Sequence, residues 1–408
     1  MVDRQKITIL IVRFSSLFVQ LGYIKVYTHF LSLPQLGIFF YLSTISYLMN
    51  SIVFVPVDFY QQAHIPADPT VPIPFKYLVS LNLRAILAAA IIGVAVLVYS
   101  FFGGNITLFE VILTFSLSVF LYLCTSLRAL LNNRTHGIFV VFMLVIESSL
   151  KLMLFVALVS EGKASADMLI LSNLIALMGE LAVILYFFRT YEKFDFTTAG
   201  RVSNRELVRF SYPLSISSGC NWIQLQSYRL VYVWFGHADI AGLYATVSNI
   251  GSVGMAAGSQ IYSQLFQPRI YQSRGLFIKK YLIMAFFISV MALVSYAILG
   301  PFILGLLTKG DFKIYYKLML FGVVVEACNL MIGAITAFSG LLKRTNILIK
   351  ANLIGVLISV SVVALALYFS ASNPYLIGTS VVASQVVILL LLLSFVRRAF
   401  ASAWVPRE

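Results

Sequence analysis

Apolar runs too long to be strands and too numerous for a soluble core dominate this chain. Twelve can be marked off: Ile7–Leu33, Leu36–Asp58, Tyr77–Phe102, Ile106–Leu131, Gly137–Val159, Met168–Phe188, Leu207–Phe235, Ile240–Phe266, Phe277–Leu307, Tyr315–Leu342, Ile347–Phe369 and Tyr375–Val396. A helix needs ~20 predominantly apolar residues to cross a bilayer, and these runs reach that length. A spanning sheet would leave unpaired edges, and barrel strands would be short and alternating. The runs therefore predict an all-α integral membrane protein. Only 11% of the 408 residues are charged, against 60% hydrophobic, which leaves too little polar surface for a soluble domain of this size.

The net charge of +14 is unevenly placed. With the N-terminus in the cytoplasm, most basic residues fall at cytoplasmic ends, from Arg4 and Lys6 through Arg128 and Arg134 to Arg397 and Arg398. The opposite side holds only Lys163, Lys309, Lys313 and Lys317. This bias predicts a multi-pass protein with both termini cytoplasmic, and it accounts for the basic balance without nucleic acid. The first run is too long for a signal-peptide core and lacks a small-residue cleavage site, so no cleaved leader is expected. Cys124, Cys220 and Cys328 lie singly in separate runs, which suggests neither a disulfide framework nor a metal site. No Gly-x-x-x-x-Gly-Lys-Ser/Thr loop occurs, so direct nucleotide use is not expected, and no cofactor is called for.

A few charges lie deep in the runs. Intramembrane charge is expensive and usually faces a watery path, a ligand or a partner. The first run holds Arg13, Lys25 and His29, with Lys25 and His29 four apart on one helix face. Lys25 can alternatively snorkel to the outer interface, and Arg13 and Arg84 to the cytoplasmic one. Glu147 and Lys151 are also four apart, either a neutralising pair or a titratable couple on a transport path. Glu180 and Glu326 have no partner nearby in sequence, so each is either paired across helices or protonated. The segment Tyr60–Lys76, with four prolines, is expected to be an extended surface loop.

The seventh run carries Arg229 and a stripe of Ser217, Asn221, Gln224 and Tyr228 spaced by three or four. The stripe suits either sugar contact or hydrogen bonding between helices. In the eighth run, Gly251, Gly254 and Gly258 are expected to mark close helix packing.

The two halves resemble each other. Leu36-Gly37-Ile-Phe-Phe-Tyr41 corresponds to Ala241-Gly242-Leu-Tyr-Ala-Thr246, and Leu131-Asn-Asn-Arg134-Thr135 to Leu341-Leu-Lys-Arg344-Thr345. The offsets, 205 from Gly37 to Gly242 and 210 from Arg134 to Arg344, agree within a small loop insertion. The expected organisation is an N-terminal six-helix bundle over 1–189, a cytoplasmic linker over 190–206 and a C-terminal six-helix bundle over 207–408. Six spans per half make the halves parallel in topology, a design in which transporters bind substrate and expose it alternately to each side.

Phe210-Ser-Tyr-Pro213-Leu, Gln226-Ser-Tyr228-Arg229, Ala241-Gly242-Leu-Tyr244, Gln267-Pro268-Arg269 and Gly340-Leu-Leu-Lys-Arg344-Thr345 together carry a family resemblance. The chain resembles Wzx-type flippases, the O-antigen or polysaccharide-unit exporters of the multidrug/oligosaccharidyl-lipid/polysaccharide (MOP) superfamily. The resemblance implies twelve helices in two six-helix bundles, arranged in a V like that of the MATE transporters. It implies a bacterial inner-membrane protein that moves a lipid-linked oligosaccharide to the outer leaflet for O-antigen or related lipopolysaccharide synthesis. It also implies contacts with membrane lipids, and with a polysaccharide polymerase and a chain-length regulator. The family often has Asp-Arg where this chain has Tyr228-Arg229, so the missing acid is expected to leave Arg229 freer for an anion.

A polyprenyl pyrophosphate sugar needs cations for its phosphates and polar or aromatic groups for its glycan. Arg229, Arg13, Lys25, His29 and Arg84 are the candidate phosphate cations, and Ser217, Asn221, Gln224 and Tyr228 the candidate glycan contacts. Glu147, Lys151, Glu180 and Glu326 are candidates for ion coupling. Two alternatives have distinct requirements. A cation-coupled multidrug antiporter calls for carboxylates on the first and seventh runs, which have none. A membrane polysaccharide polymerase or glycosyltransferase calls for clustered acid/base or metal-binding groups, whereas Glu161, Asp167, Asp239 and Asp311 are scattered. The expectation is a transporter, not an enzyme.

Overall fold

The structure is a computed structural model that describes residues 4–65, 68, 70–102, 107–134, 136–161, 164–196, 203–342, 344 and 346–401. It is almost wholly helical. The helices are α1 (Arg4–Phe30), α2 (Leu33–Met49), α3 (Val55–His64), α4 (Phe75–Phe102), α5 (Leu108–Asn133), α6 (Gly137–Glu161) and α7 (Ala166–Tyr191). They continue as α8 (Asn204–Trp234), α9 (Ala238–Gln272), α10 (Ile278–Leu307), α11 (Leu318–Leu341), α12 (Asn346–Ser370) and α13 (Pro374–Ala401). Ten helical segments are long and apolar enough to cross a membrane, by length and composition, among the described residues. One of them is the continuous rod Leu33–His64. The polar α8 is not among the ten, and part of α1 lies outside the described side chains. Large apolar side chains face outward on these helices, with Ile91 77%, Phe102 82% and Tyr368 83% exposed. Such a surface is stable against lipid and not against water.

Local chemistry sets the helix ends. Thr107 caps α5 through a box in which its hydroxyl accepts from the Glu110 N–H at 3.3 Å and the Thr107 N–H donates to Glu110 Oε2 at 2.5 Å. Ser165 Oγ accepts from the Met168 N–H at the start of α7. Between α8 and α9, Gly236 takes φ +82°, a left-handed turn favouring glycine. A π-helical turn, Asn50–Phe54, joins α2 to α3 just before Pro56, whose missing N–H and bulky ring oppose a normal α turn there.

The loop expected over Tyr60–Lys76 is shorter than its prolines suggested. α3 continues through His64 because the first proline comes only at position 66, and α4 begins at Phe75. Within the intervening stretch Ile73–Pro74 (β1) pairs in parallel with Phe194–Asp195 (β2).

The chain forms two compact units, 1–222 and 223–408, divided inside α8. In the first, α2 packs on α4, α5 and α7, α5 packs on α4 and α7, and α6 packs on α7 and α1. In the second, α9 packs on α10, α11 and α13, α11 packs on α10 and α13, and α12 packs on α13. The pairing order repeats, helix for helix, from α2 with α9 to α7 with α13, in step with the sequence correspondences. The closest pairing in the second unit is between α9 and α11. A Cβ on Gly251 would collide with the Met319 carbonyl, and one on Gly322 with the Ser248 carbonyl. A Cβ on Gly254 would strike the Tyr296 hydroxyl. Gly258, by contrast, has nothing within 4 Å of its added Cβ, so the expected packing role fails there.

Candidate functional site

The first unit buries a four-residue charge cluster. α5 presents Cys124 and Arg128, one turn apart, toward Leu177 and Glu180 of α7. The Cys124 thiol donates to the Leu177 carbonyl at 3.4 Å. Arg128 Nη1 donates to Glu147 Oε2 at 2.5 Å and to Glu180 Oε1 at 2.9 Å. Lys151 closes on the other oxygen of Glu147. Two cations and two carboxylates thus form one linked set across α5, α6 and α7. The Glu180 side chain has no exposed surface, and its Oε2 is buried without a hydrogen-bond partner among the described residues. A buried charge survives only when paired and hydrogen-bonded, so this set is held together by the cost of breaking it.

The cluster resolves one alternative and corrects another reading. Glu180 is paired across helices, and Glu147 pairs with Lys151 as its spacing allowed, but both depend on Arg128. The positive-inside bias places Arg128 at a cytoplasmic helix end, yet it lies inside α5, more than a turn before Asn133, and is only 10% exposed. Arg134, expected at the same cytoplasmic end, is completely buried: Nη2 sits 2.9 Å from Glu192 Oε2 and donates to the Val71 carbonyl at 2.9 Å. His136 Nε2 lies 3.1 Å from the other Glu192 oxygen. Arg134 thereby ties the end of α5 to the end of α7 and to the segment before β1.

The other candidates are dispersed. On α1, Arg13 is half-buried, whereas Lys25 and His29 are exposed on one face. The helix is anchored by Tyr23, whose hydroxyl donates to Asn173 Oδ1 of α7 at 2.7 Å. Arg84 of α4 donates to Asn204 Oδ1 at the start of α8, at 2.6 Å. Glu326 of α11 is half-buried and enters no ion pair among the described residues.

The polar stripe of α8 is not one continuous surface. Asn221 is exposed and Ser217 half-buried, but Gln224 is 1% exposed. Gln224 Nε2 donates to the Asn352 carbonyl of α12 at 2.8 Å, and its Oε1 accepts from Gln385 Nε2 of α13 at 3.0 Å. A buried amide must satisfy both ends, and here neighbouring helices do so. Tyr228 is 2% exposed and packs edge-on against Tyr244 at 5.2 Å. Its hydroxyl accepts from Arg229 Nε at 2.9 Å, and the guanidinium carbon lies 5.5 Å from its ring. The missing acid therefore does not leave Arg229 without a local acceptor: the neighbouring phenol takes that place.

No protein-family model matches the chain, and no curated protein sequence does. The structure is similar to lipid II flippase MurJ in an inward closed conformation, with a TM-score of 0.68 at 15% identity over 96% of this chain and 87% of that one. It is also similar to a multidrug resistance MATE family transporter of the MOP superfamily. The outward-facing form gives a TM-score of 0.60 at 14% identity over 97% of this chain and 95% of that one. The inward-facing form gives 0.56 at 13% identity over 96% and 98%. This chain has the fold those transporters share.

Proposed function

We propose that this chain is a Wzx-type transporter of the MOP superfamily that moves a polyprenyl-pyrophosphate-linked oligosaccharide unit from the cytoplasmic to the outer leaflet by alternating access. The substrate feeds O-antigen or related surface polysaccharide synthesis, and the protein sits in a bacterial inner membrane with both termini in the cytoplasm. The observation that carries the reading is the charge on α1 and α8. α1 holds Arg13, Lys25 and His29 and no carboxylate, and α8 holds Arg229 and no carboxylate after Glu206. Helices of that sign suit a pyrophosphate, which arginine can hold through paired charge-assisted bonds. Arg84 completes the set of phosphate cations, and the exposed Asn221 with Ser217 supplies glycan contact. The fold supports the reading through its likeness to a lipid flippase.

In this proposal the six-helix bundles over 1–189 and 207–408 are the moving bodies and 190–206 is the cytoplasmic linker between them. Glu147, Lys151, Glu180 and Glu326 form the pool from which a coupling ion site would come. A polysaccharide polymerase and a chain-length regulator are the expected protein partners. A cation-coupled multidrug antiporter is the second reading. The likeness to MATE transporters and the buried Glu147 and Glu180 favour it, but Arg128 and Lys151 already match those two acids.

A leaflet assay tests the proposal. Cells lacking the chain should accumulate complete single lipid-linked units on the cytoplasmic side. Restoring the chain should relieve that, and the Arg229→Ala form should not, although it inserts normally. Units that reach the outer leaflet without the chain would overturn the proposal.

A further inference from the structure

At one end of the second unit, Arg344 beyond α11, the N-terminal end of α12 and the C-terminal end of α13 line an open cavity of about 340 Å³. Three cations, Arg344, Lys350 and Arg398, converge on it, with Asn346 and Ser394 beside them. Ile347 and Phe395 provide an apolar wall. Asn346 and Ile347 are the first two residues of a 25-residue helix, so the positive dipole end of α12 lies at the same place. No carboxylate lines the cavity among the described residues.

The pairing repeat sharpens the contrast. Arg344 corresponds to Arg134 of the first unit, where Glu192, the residue directly after α7, closes on the guanidinium. The matching end of α13 reads Arg397-Arg398-Ala-Phe-Ala401, and Arg398 faces the cavity. In the first unit an ion pair closes on the arginine, and in the second Arg344, Lys350 and Arg398 stand together around a space.

The surface beside the cavity is apolar. Lys350, Ile354 and Leu357 fall on one face of α12 at spacings of four and three. All three are exposed, with Ile354 at 41% and Leu357 at 68%. A cationic head position therefore leads directly onto an apolar strip along the same helix. We infer that this cavity binds the phosphate headgroup of an anionic membrane phospholipid, with the acyl chains lying along Ile354 and Leu357. The lysine and the two arginines hold the phosphate oxygens, and the start of α12 adds backbone donors. This site does not depend on what the protein transports.

The test is native mass spectrometry of the full-length purified protein titrated with phosphatidylglycerol, with phosphatidylcholine as the zwitterionic comparison. Phosphatidylglycerol should be retained preferentially. The triple variant Arg344→Gln/Lys350→Gln/Arg398→Gln should lose that preference. The single variant Lys350→Gln, at an exposed position where folding is not at stake, should weaken it about tenfold. The charge-matched variant Lys309→Gln/Lys313→Gln/Lys317→Gln, at the other end of α11, should behave as wild type. Equal retention by wild type and both cavity variants would overturn the site. Inorganic phosphate that displaces the lipid completely would reassign the cavity to a free phosphate and overturn the lipid reading.

Discussion

Arg128 on α5 and Glu180 on α7 meet at 2.9 Å, and the glutamate of that pair has no exposed side-chain surface. Arg128 is also the only link between Glu180 and the Glu147–Lys151 pair among the described residues. Removing it strands a carboxylate in a dry interior. The Arg128→Met variant should lose about 3–5 kcal/mol of stability, read as a lowered thermal midpoint in detergent. Adding Glu180→Gln should recover a good part of that loss, because the stranded charge is gone. Such recovery is the non-additivity that contacting residues show.

The Arg134–Glu192 pair gives a parallel expectation at the helix ends. Glu192→Gln leaves a fully buried guanidinium without its counter-charge, again a loss of about 3–5 kcal/mol. Because Arg134 also holds the Val71 carbonyl, the segment between α3 and α4 should be released with it. Limited proteolysis should then cut that segment faster than in the wild type.

Gln224 joins three helices through two side-chain hydrogen bonds. Gln224→Leu removes both and leaves the buried Gln385 amide without its Gln224 acceptor, which should cost about 1–3 kcal/mol, whereas the Asn352 carbonyl keeps its donor within α12. The double variant Gln224→Leu/Gln385→Leu should be more stable than the single one, as a thermal melt of purified protein would show.

Glycine substitutions separate packing from tolerance on one helix. Gly251→Leu drives a side chain into the backbone of α11 and should abolish accumulation of folded protein in the membrane. Gly258→Ala, on the same helix with open space around it, should leave yield and melting temperature unchanged.

For export itself, Tyr228→Phe tests the geometry of Arg229. The phenol oxygen holds Nε of the guanidinium, so its loss removes one of the fork's anchors. Export should fall about tenfold, consistent with one hydrogen bond to a charged group, while insertion is unchanged. Wild-type export in this variant would show that Tyr228 does not position Arg229.

What the residues disclosed depended on range. Helix positions were legible because continuous apolar runs report their own burial, and the two-unit repeat was legible from short matches such as Leu131–Thr135 with Leu341–Thr345. Glu147 and Lys151 were legible because their spacing is local. Arg128 and Glu180 are 52 positions apart, and only the packing of α5 on α7 joins them. Arg134 was hidden for a different reason: an arginine near the end of an apolar run looks the same whether it faces water or folds back onto a glutamate. Tyr228 and Gln224 carried polarity in the right pattern, but polarity alone does not say whether a neighbouring helix or a ligand satisfies it.

The wide turn at Asn50–Phe54 has a bearing on how this protein can change over time. A π turn carries one residue beyond the α repeat, so it is a length register as well as a bend. Beyond it, Gln61 is fully buried and receives the Asn82 amide at 3.4 Å, while Gln62 receives the Asn133 amide at 3.3 Å and itself donates to Asp58 at 2.8 Å. Because the turn itself takes up that residue, losing one residue there would close it to an α turn and leave α3 in nearly the same phase, with Gln61 and Gln62 still facing Asn82 and Asn133. The same loss inside α3 would instead turn everything beyond it by roughly 100°. The chain can therefore change its residue count at Asn50–Phe54 and not a turn later, where the amide contacts of α3 would have to be rebuilt at the same time.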